Sequence, residues 1–337
     1  MPKVASAVDA APSPFFLVPA VNCVTARDEQ VMRIKNHFLG STTVSIAVAV
    51  ALLAGCGSRP TDTTTSTKAA SEQAASGVQS GIVKVGDADI QYFSQGEGEA
   101  VVLLPGGSLD VGYMEGLADA LAKAGYRVVR INFREAGKST GPEEGVTLHT
   151  LAGDVAGVIE ALKLGPANVG GHAFGNRVAR MLDADRPELV RSVILFAAGG
   201  KVAPAPAADR ALKIIFTPGS PEDEVLEAMK YMVGDPADVQ KVWQIIKPCR
   251  APRAAGIEYK AGEATPLKDW WAPPGKTKYL VLQGADDQAA PPENGVLLKK
   301  ELGNRVTLVE IPKAGHLVLV ERPQKVADEM VSFLRQR

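Results

Sequence analysis

Chemistry in this chain centres on the stretch Val169-Gly170-Gly171-His172-Ala173-Phe174-Gly175-Asn176. A short run of apolar and small residues leads into it and a helical pattern (Arg177, Val178, Ala179, Arg180, Met181, Leu182) leads out, so it reads as a sharp strand-to-helix turn. Small residues at Gly171 and Gly175 allow the backbone to lift one side chain above the sheet edge, at the N-terminus of the next helix, where negative charge is stabilised. Such a turn, written G-x-S-x-G, presents a serine nucleophile. Here the lifted residue is Ala173, and a methyl group neither attacks a carbonyl nor moves a proton. The stretch names an architecture more clearly than a reaction.

The 337 residues, 46% hydrophobic and 22% charged with a formal net charge of −1, suffice for one sizeable core with an insertion or cap. Lys and Arg are scattered, without basic runs or interleaved aromatics, so no nucleic-acid partner is expected. Cys23, Cys56 and Cys249 form no CxxC or His/Cys cluster, which argues against a zinc site and a disulfide framework; no metal and no cofactor is expected.

Residues 1 to 31 show no convincing period and precede Met32, after which Arg33 and Lys35 stand before an apolar run, Thr43 to Ala54. That run has the length of a signal-peptide core and is short for a membrane span. It ends in Leu53-Ala54-Gly55-Cys56, which resembles the lipobox of bacterial lipoproteins, where the cysteine is acylated and becomes the first mature residue. The alternative is an ordinary cleaved signal peptide with Cys56 incidental. The lipobox resemblance implies translation from Met32, a leader within residues 1–55, and a membrane partner reached through lipidated Cys56. It also implies an exported location at the cell envelope, on the periplasmic face in a Gram-negative cell. Residues 56–80 are Ser, Thr, Ala, Gly and Gln with almost no large apolar side chain, so burial cannot offset ordering entropy and the segment reads as a flexible tether.

The positioning elements follow in residues 81–337. Ile82 to Val85 and Ala88 to Ser94 read as a hairpin across Gly86-Asp87, and Ala100 to Leu104 as a buried strand stopped by Pro105-Gly106-Gly107-Ser108. Tyr113 to Ala124 is helical, Tyr126 to Phe133 a strand, and Leu148, Leu151, Val155, Ile159 and Leu162 form one apolar helix stripe. After the elbow strand and its helix comes a strand at Ser192 to Ala198. Strand and helix in alternation predict an α/β fold, a mostly parallel sheet with helices on both faces. Residues 201–275 break the rhythm and read as a helical cap insertion. Proline and alanine open it at Val202 to Ala208, and helical patterns follow at Glu222 to Met232 and Ala237 to Ile246. Trp243, Trp270 and Trp271 are either core anchors or substrate contacts, and Cys249 reads as a small buried hydrophobe. The sheet resumes at Tyr279 to Gln283 and Val306 to Ile311, before a last helix carrying Val326, Met330, Phe333 and Leu334.

From about Ile82 onward the chain resembles the α/β-hydrolase family. Five marks carry the resemblance, in order: Leu103-Leu104-Pro105-Gly106-Gly107 after a strand, the turn Asn132 to Ser139, the elbow, Gly284-Ala285-Asp286-Asp287, and Ala314-Gly315-His316. The resemblance implies that Asp287 is the acid that orients a histidine, with Asp286 as its competitor, that His316 is the general base, and that Ala173 occupies the nucleophile position. It places the oxyanion hole at the backbone N–H groups of Gly107 and Phe174. Pro105 stands where the family usually has histidine. His172 beside the elbow is expected to be structural, His149 non-catalytic, and His37 part of the leader. Ser108 and Ser139 are the other hydroxyls that could approach the pocket, although turn residues of this kind commonly satisfy loops.

Two activities fit these residues. In the first, His316 activates water or takes a substrate proton while the oxyanion hole holds developing charge, which suits hydrolysis of an ester or lactone-type small molecule, or proton transfer on a carbonyl compound, without a covalent intermediate. In the second, the site is catalytically inactive and binds a small apolar ligand or a protein partner.

Overall fold

Alternate residues of a strand face opposite sides of a sheet, and here both sides are apolar. Val101 and Leu103 enter one buried cluster and Val102 and Leu104 another, as do Ile194 and Phe196 against Val193 and Leu195. Strands apolar on both faces demand cover on both faces. The computed structural model, which describes residues 77–336, provides it.

One sheet holds β1 (Gln79–Val85), β2 (Ala88–Gln95), β3 (Glu99–Leu104), β4 (Tyr126–Ile131), β5 (Ala167–His172), β6 (Val190–Phe196), β7 (Lys278–Gly284) and β8 (Val306–Ile311). Their order is β1-β2-β4-β3-β5-β6-β7-β8. The β1–β2 and β2–β4 pairs are antiparallel, and every pair from β4 to β8 is parallel. From β3 the chain first builds β4 on one side and then crosses to β5 on the other. Open α/β sheets take ligands at the carboxyl ends of their strands, where the winding reverses.

The helices are α1 (Glu115–Lys123), α2 (Leu148–Ala161), α3 (Phe174–Asp185), α4 (Pro206–Phe216), α5 (Glu222–Met229), α6 (Val239–Ile246), α7 (Pro252–Ala264), α8 (Leu267–Trp270), α9 (Glu293–Leu302), α10 (Val318–Glu321) and α11 (Pro323–Arg335). Helix α2 starts at a capping box between Thr147 and Thr150. Helices α4 to α8 lie between β6 and β7 and make up the cap insertion.

Several boundaries move for local reasons. A 3₁₀ turn, Val111–Met114, capped by Asp110, precedes α1, so the α-helix begins two residues after Tyr113. Strand β6 covers Val190–Phe196 instead of Ser192 to Ala198, because Ala197 adopts φ 53° and leaves the extended region. Three cap helices, α4, α7 and α8, have no counterpart in the sequence pattern; proline opens α4 and α7 and precedes α8, and at the first helical position it lacks only an N–H that has no intrahelical partner. All three tryptophans are core anchors: Trp243, Trp270 and Trp271 are buried. Trp270 and Trp271 lie against the Arg180 guanidinium, 4.6 and 5.1 Å from their ring centres. Cys249 is buried as well, and burial pushes its thiol up to about 12. The leader, Cys56 and the expected tether as far as residue 76 lie outside the described residues, and the tether ends earlier than residue 80, because Gln79 and Ser80 already pair with Ser94 and Phe93 in β1.

Candidate active site

Between β5 and α3 the chain turns in a single residue. Ala173 has φ 47° and ψ −105°, a conformation that strains any residue with a Cβ by about 1–3 kcal/mol. The turn is held from both sides. The Ala173 N–H donates to the Phe196 carbonyl, and the Asn176 amide donates to the carbonyls of Phe196 and Ala197. A Cβ on Gly171 would lie 2.2 Å from the Gly175 carbonyl oxygen, and one on Gly175 2.6 Å from that of Pro105, so both positions admit only glycine. Ala173 and Phe174 are half-buried, whereas their neighbours His172 and Gly175 are buried. The first amides of α3, that of Phe174 among them, have no intrahelical acceptor and carry the positive end of the helix dipole.

His172 is a strut. Its Nε2 sits 2.9 Å from the His316 carbonyl, which can only accept, so Nε2 carries the proton. Nδ1 therefore accepts from the Tyr113 hydroxyl at 2.8 Å, and that hydroxyl accepts the Gly106 N–H at 2.8 Å. The chain of bonds ties the loop after β3 to the loop after β8 through the end of β5. Burial, reinforced by repulsion from His316, pushes the His172 imidazole down to about 3, so it stays neutral.

The loop after β7 delivers a buried carboxylate. Asp287 Oδ1 accepts the amides of Ala289 (2.9 Å) and Ala290 (2.7 Å), which fixes the group beneath the His316 ring. His316 Nδ1 lies 3.1 and 3.2 Å from the two carboxylate oxygens. A carboxylate only accepts, so Nδ1 donates and Nε2 keeps a lone pair. Asp286, the competing acid, is exposed, and the carboxylate against His316 Nδ1 is that of Asp287. Glu321 holds the histidine loop from behind, accepting the amides of Gly315 (2.9 Å) and Gly234 (2.7 Å).

Three consecutive amides follow Pro105. That of Gly106 goes to Tyr113, and that of Ser108 to the Glu258 carboxyl at 2.7 Å. The Gly107 amide between them has no acceptor among the described residues. Gly107 also lies close to Phe174: a Cβ added to it would be 3.5 Å from the Phe174 Cβ.

These loops match a known pattern as a set. The sequence profile of the alpha/beta hydrolase family matches residues 101–329, more than half of the chain. The chain belongs to that family. Among curated relatives it is similar to BpoC of Mycobacterium tuberculosis, named as a non-heme bromoperoxidase, with 28% identity over 274 residues, 73% of this chain and 97% of that protein. It is also similar to the 2-hydroxy-6-oxo-6-phenylhexa-2,4-dienoate hydrolase of Comamonas testosteroni, with 28% identity over 268 residues, 74% of this chain and 92% of that enzyme. The solved structure of BpoC superposes with a TM-score of 0.61 at 26% identity, covering 73% of this chain and 96% of that one. An esterase from Exiguobacterium antarcticum gives 0.64 at 20% identity, covering 75% and 98%, a likeness of fold.

In this α/β-hydrolase the remaining candidates sort by their partners. The Ser139 hydroxyl is fully buried, accepting from the Gln91 amide and donating to the Asn132 carbonyl, so it closes a turn and does not reach the pocket. Ser108 is 2% exposed and held at φ 61°. His149 pairs with Asp185 on the outer surface. Among the described residues no three His, Cys, Asp or Glu side chains converge as metal ligands would. Sequence reasoning missed Tyr113, Glu321 and Glu258. A signal for the last existed: Glu258 lies on the buried stripe of α7 with Ala254, Ile257 and Ala261, a carboxyl where the helical period calls for an apolar residue.

Proposed function

We propose that this protein hydrolyses an ester- or lactone-type small molecule without forming a covalent intermediate. A water held over Ala173 loses its proton to His316 Nε2 as its oxygen attacks the substrate carbonyl. Asp287 stabilises the resulting imidazolium, and the amides of Gly107 and Phe174 hold the oxyanion. The imidazolium then returns the proton to the departing alcohol oxygen. General-base action contributes roughly 10²–10⁴-fold and each oxyanion donor roughly 10²–10³-fold, so useful rates survive the loss of a nucleophile. The buried Asp287–His316 pair, 3.1 Å apart, carries this reading, since a binding pocket has no use for an oriented base. The hydrolase and esterase relatives support the reaction class.

The Ala173 methyl supports a second reading, a catalytically inactive site that binds a small apolar ligand or a protein partner. One experiment separates the two: turnover of short-chain p-nitrophenyl esters and lactones by the purified full chain, beside His316→Ala and Ala173→Ser. Turnover lost in His316→Ala supports the hydrolase. Turnover equal in the two, with a new acyl-enzyme burst in Ala173→Ser, supports the binding protein. We also propose that Cys56 is lipidated and holds the exported domain at the cell envelope; labelled fatty acid retained by Cys56→Ala would refute it.

A further inference from the structure

The hydrolytic mechanism leaves one buried ionisable group beside the site without a task. Glu258 descends from the cap helix α7 and is 4% exposed. Its Oε2 is fixed by the Ser108 N–H at 2.7 Å, while Oε1 is buried and has no hydrogen-bond partner. A buried polar atom without a partner is rare and costly in a native protein. The position of that carboxyl gives it meaning. A Cβ added to Gly107 would be 3.3 Å from Glu258 Oε2 and 3.5 Å from the Phe174 Cβ, so the carboxyl lies beside Gly107 and Phe174, the two residues whose amides the hydrolase reading assigns to the oxyanion.

We propose that Glu258 is a third catalytic group, a neutral carboxylic acid whose Oε1–H donates to the carbonyl oxygen of an uncharged ester, lactone or ketone seated against Gly107 and Phe174. This rests on the hydrolase reading and deepens it. As water oxygen bonds to the carbonyl carbon and His316 takes the water proton, the carbonyl π pair moves onto oxygen, where the Glu258 proton meets it. When the tetrahedral adduct collapses, the carbonyl re-forms, the proton returns to Glu258 Oε1, and the leaving oxygen departs with the proton from His316. The sum is substrate plus water giving acid plus alcohol, with both protein groups restored. The cap thus supplies a functional group to a site whose elbow supplies none.

The surroundings keep the acid neutral at physiological pH. Burial pushes its pKa up to about 8, with the Ser108 amide pulling the other way. Among the described residues, burial and the Ser108 amide are the causes that set this pKa, and the nearby cations have other partners. Arg253 on α7 itself pairs with Glu135, Arg134 after β4 pairs with Asp154 of α2, and Arg177 of α3 lies over Phe174 and Trp270. The remaining neighbours with protons to move are Tyr113, whose hydroxyl burial and the nearby Glu258 both push upward, and the neutral His172.

Two measurements on the full chain test this. The first needs no substrate: at pH 6.5 the infrared carboxylic-acid C=O band of the wild type should be diminished in Glu258→Gln, and an unchanged band overturns the proposal. The second is p-nitrophenyl acetate hydrolysis. Glu258→Ala should lower kcat roughly 10²–10³-fold, as loss of an oxyanion donor does. Glu258→Gln, which keeps a donor, should lose far less, and its rate should not fall as pH rises through 8, whereas that of the wild type does. If His316→Ala is inactive while both Glu258 variants retain the wild-type rate and pH profile, this inference fails and the hydrolase reading stands. If turnover does not depend on His316, both fail.

Discussion

The protonation of Glu258 has a thermodynamic consequence that no assay of catalysis is needed to detect. In the unfolded chain the carboxyl titrates near 4.5, and in the folded protein burial moves it to about 8. Below pH 4.5 it is protonated in both states and has no influence on the pH dependence. Between 4.5 and 8 only the folded state keeps the proton, so stability falls as pH rises, by about 1.4 kcal/mol per unit. Above 8 the folded state carries a buried charge and the loss is complete, about 5 kcal/mol over the window. That is a large share of the 5–15 kcal/mol typical of a folded domain. Glu258→Gln keeps the shape and an acceptor for the Ser108 amide but cannot ionise. Urea unfolding of the wild type and Glu258→Gln at pH 5, 7 and 8.5 should show the variant gaining on the wild type by about 4 kcal/mol from the lowest pH to the highest, since pH 5 already lies inside the window. Other titrating groups are common to both proteins and cancel in the difference. Parallel stability curves would show that Glu258 is ionised in the native state, and the reasoning about its role would collapse with them.

Asp287→Asn should lower kcat roughly 10²–10⁴-fold with little change in KM, because the amide no longer enforces the Nδ1–H tautomer of His316 or stabilises its imidazolium; a change under threefold in steady-state kinetics contradicts the dyad. Ala173→Gly should raise stability by about 1 kcal/mol, as relief of the φ 47° strain exceeds the added entropy of the unfolded chain, and a lower urea midpoint would refute it. His172→Gln should flatten the acid limb of stability. The wild-type imidazole, moved from 6.5 to about 3, favours folding above pH 6.5, and this is lost at about 1.4 kcal/mol per unit as pH falls through the window; because Glu258 and the other carboxyls titrate alike in both proteins, denaturant titrations at pH 4 and 6 should find it as the difference between wild type and variant, and parallel curves would refute it.

Much of this molecule was legible from local rules. Strand period and helical stripes gave the alternation of elements, because side-chain direction follows backbone geometry wherever the chain goes. The elbow could be read from Gly171 because the close approach there is to Gly175, four positions on, whereas Gly175 is confined by Leu104 and Pro105 from a distant strand end. Helices α4 and α7 were not legible, since proline ends one element and begins another with the same ring.

The chemistry depended on contacts that the local chain does not describe. Asp286 and Asp287 are equivalent as letters; the fold exposes one and gives the other two amides and His316, 29 residues away. His172 became a neutral strut because its Nε2 meets a carbonyl 144 residues distant. Glu258 acquires a role only because the cap lays it on the Ser108 amide, 150 residues away. By itself the sequence determined the elements and an elbow without a nucleophile, since both follow from neighbouring residues. Only the tertiary structure decided which groups are dry, and with that which hold protons, because desolvation comes from whatever packs around a group and not from its neighbours in the chain.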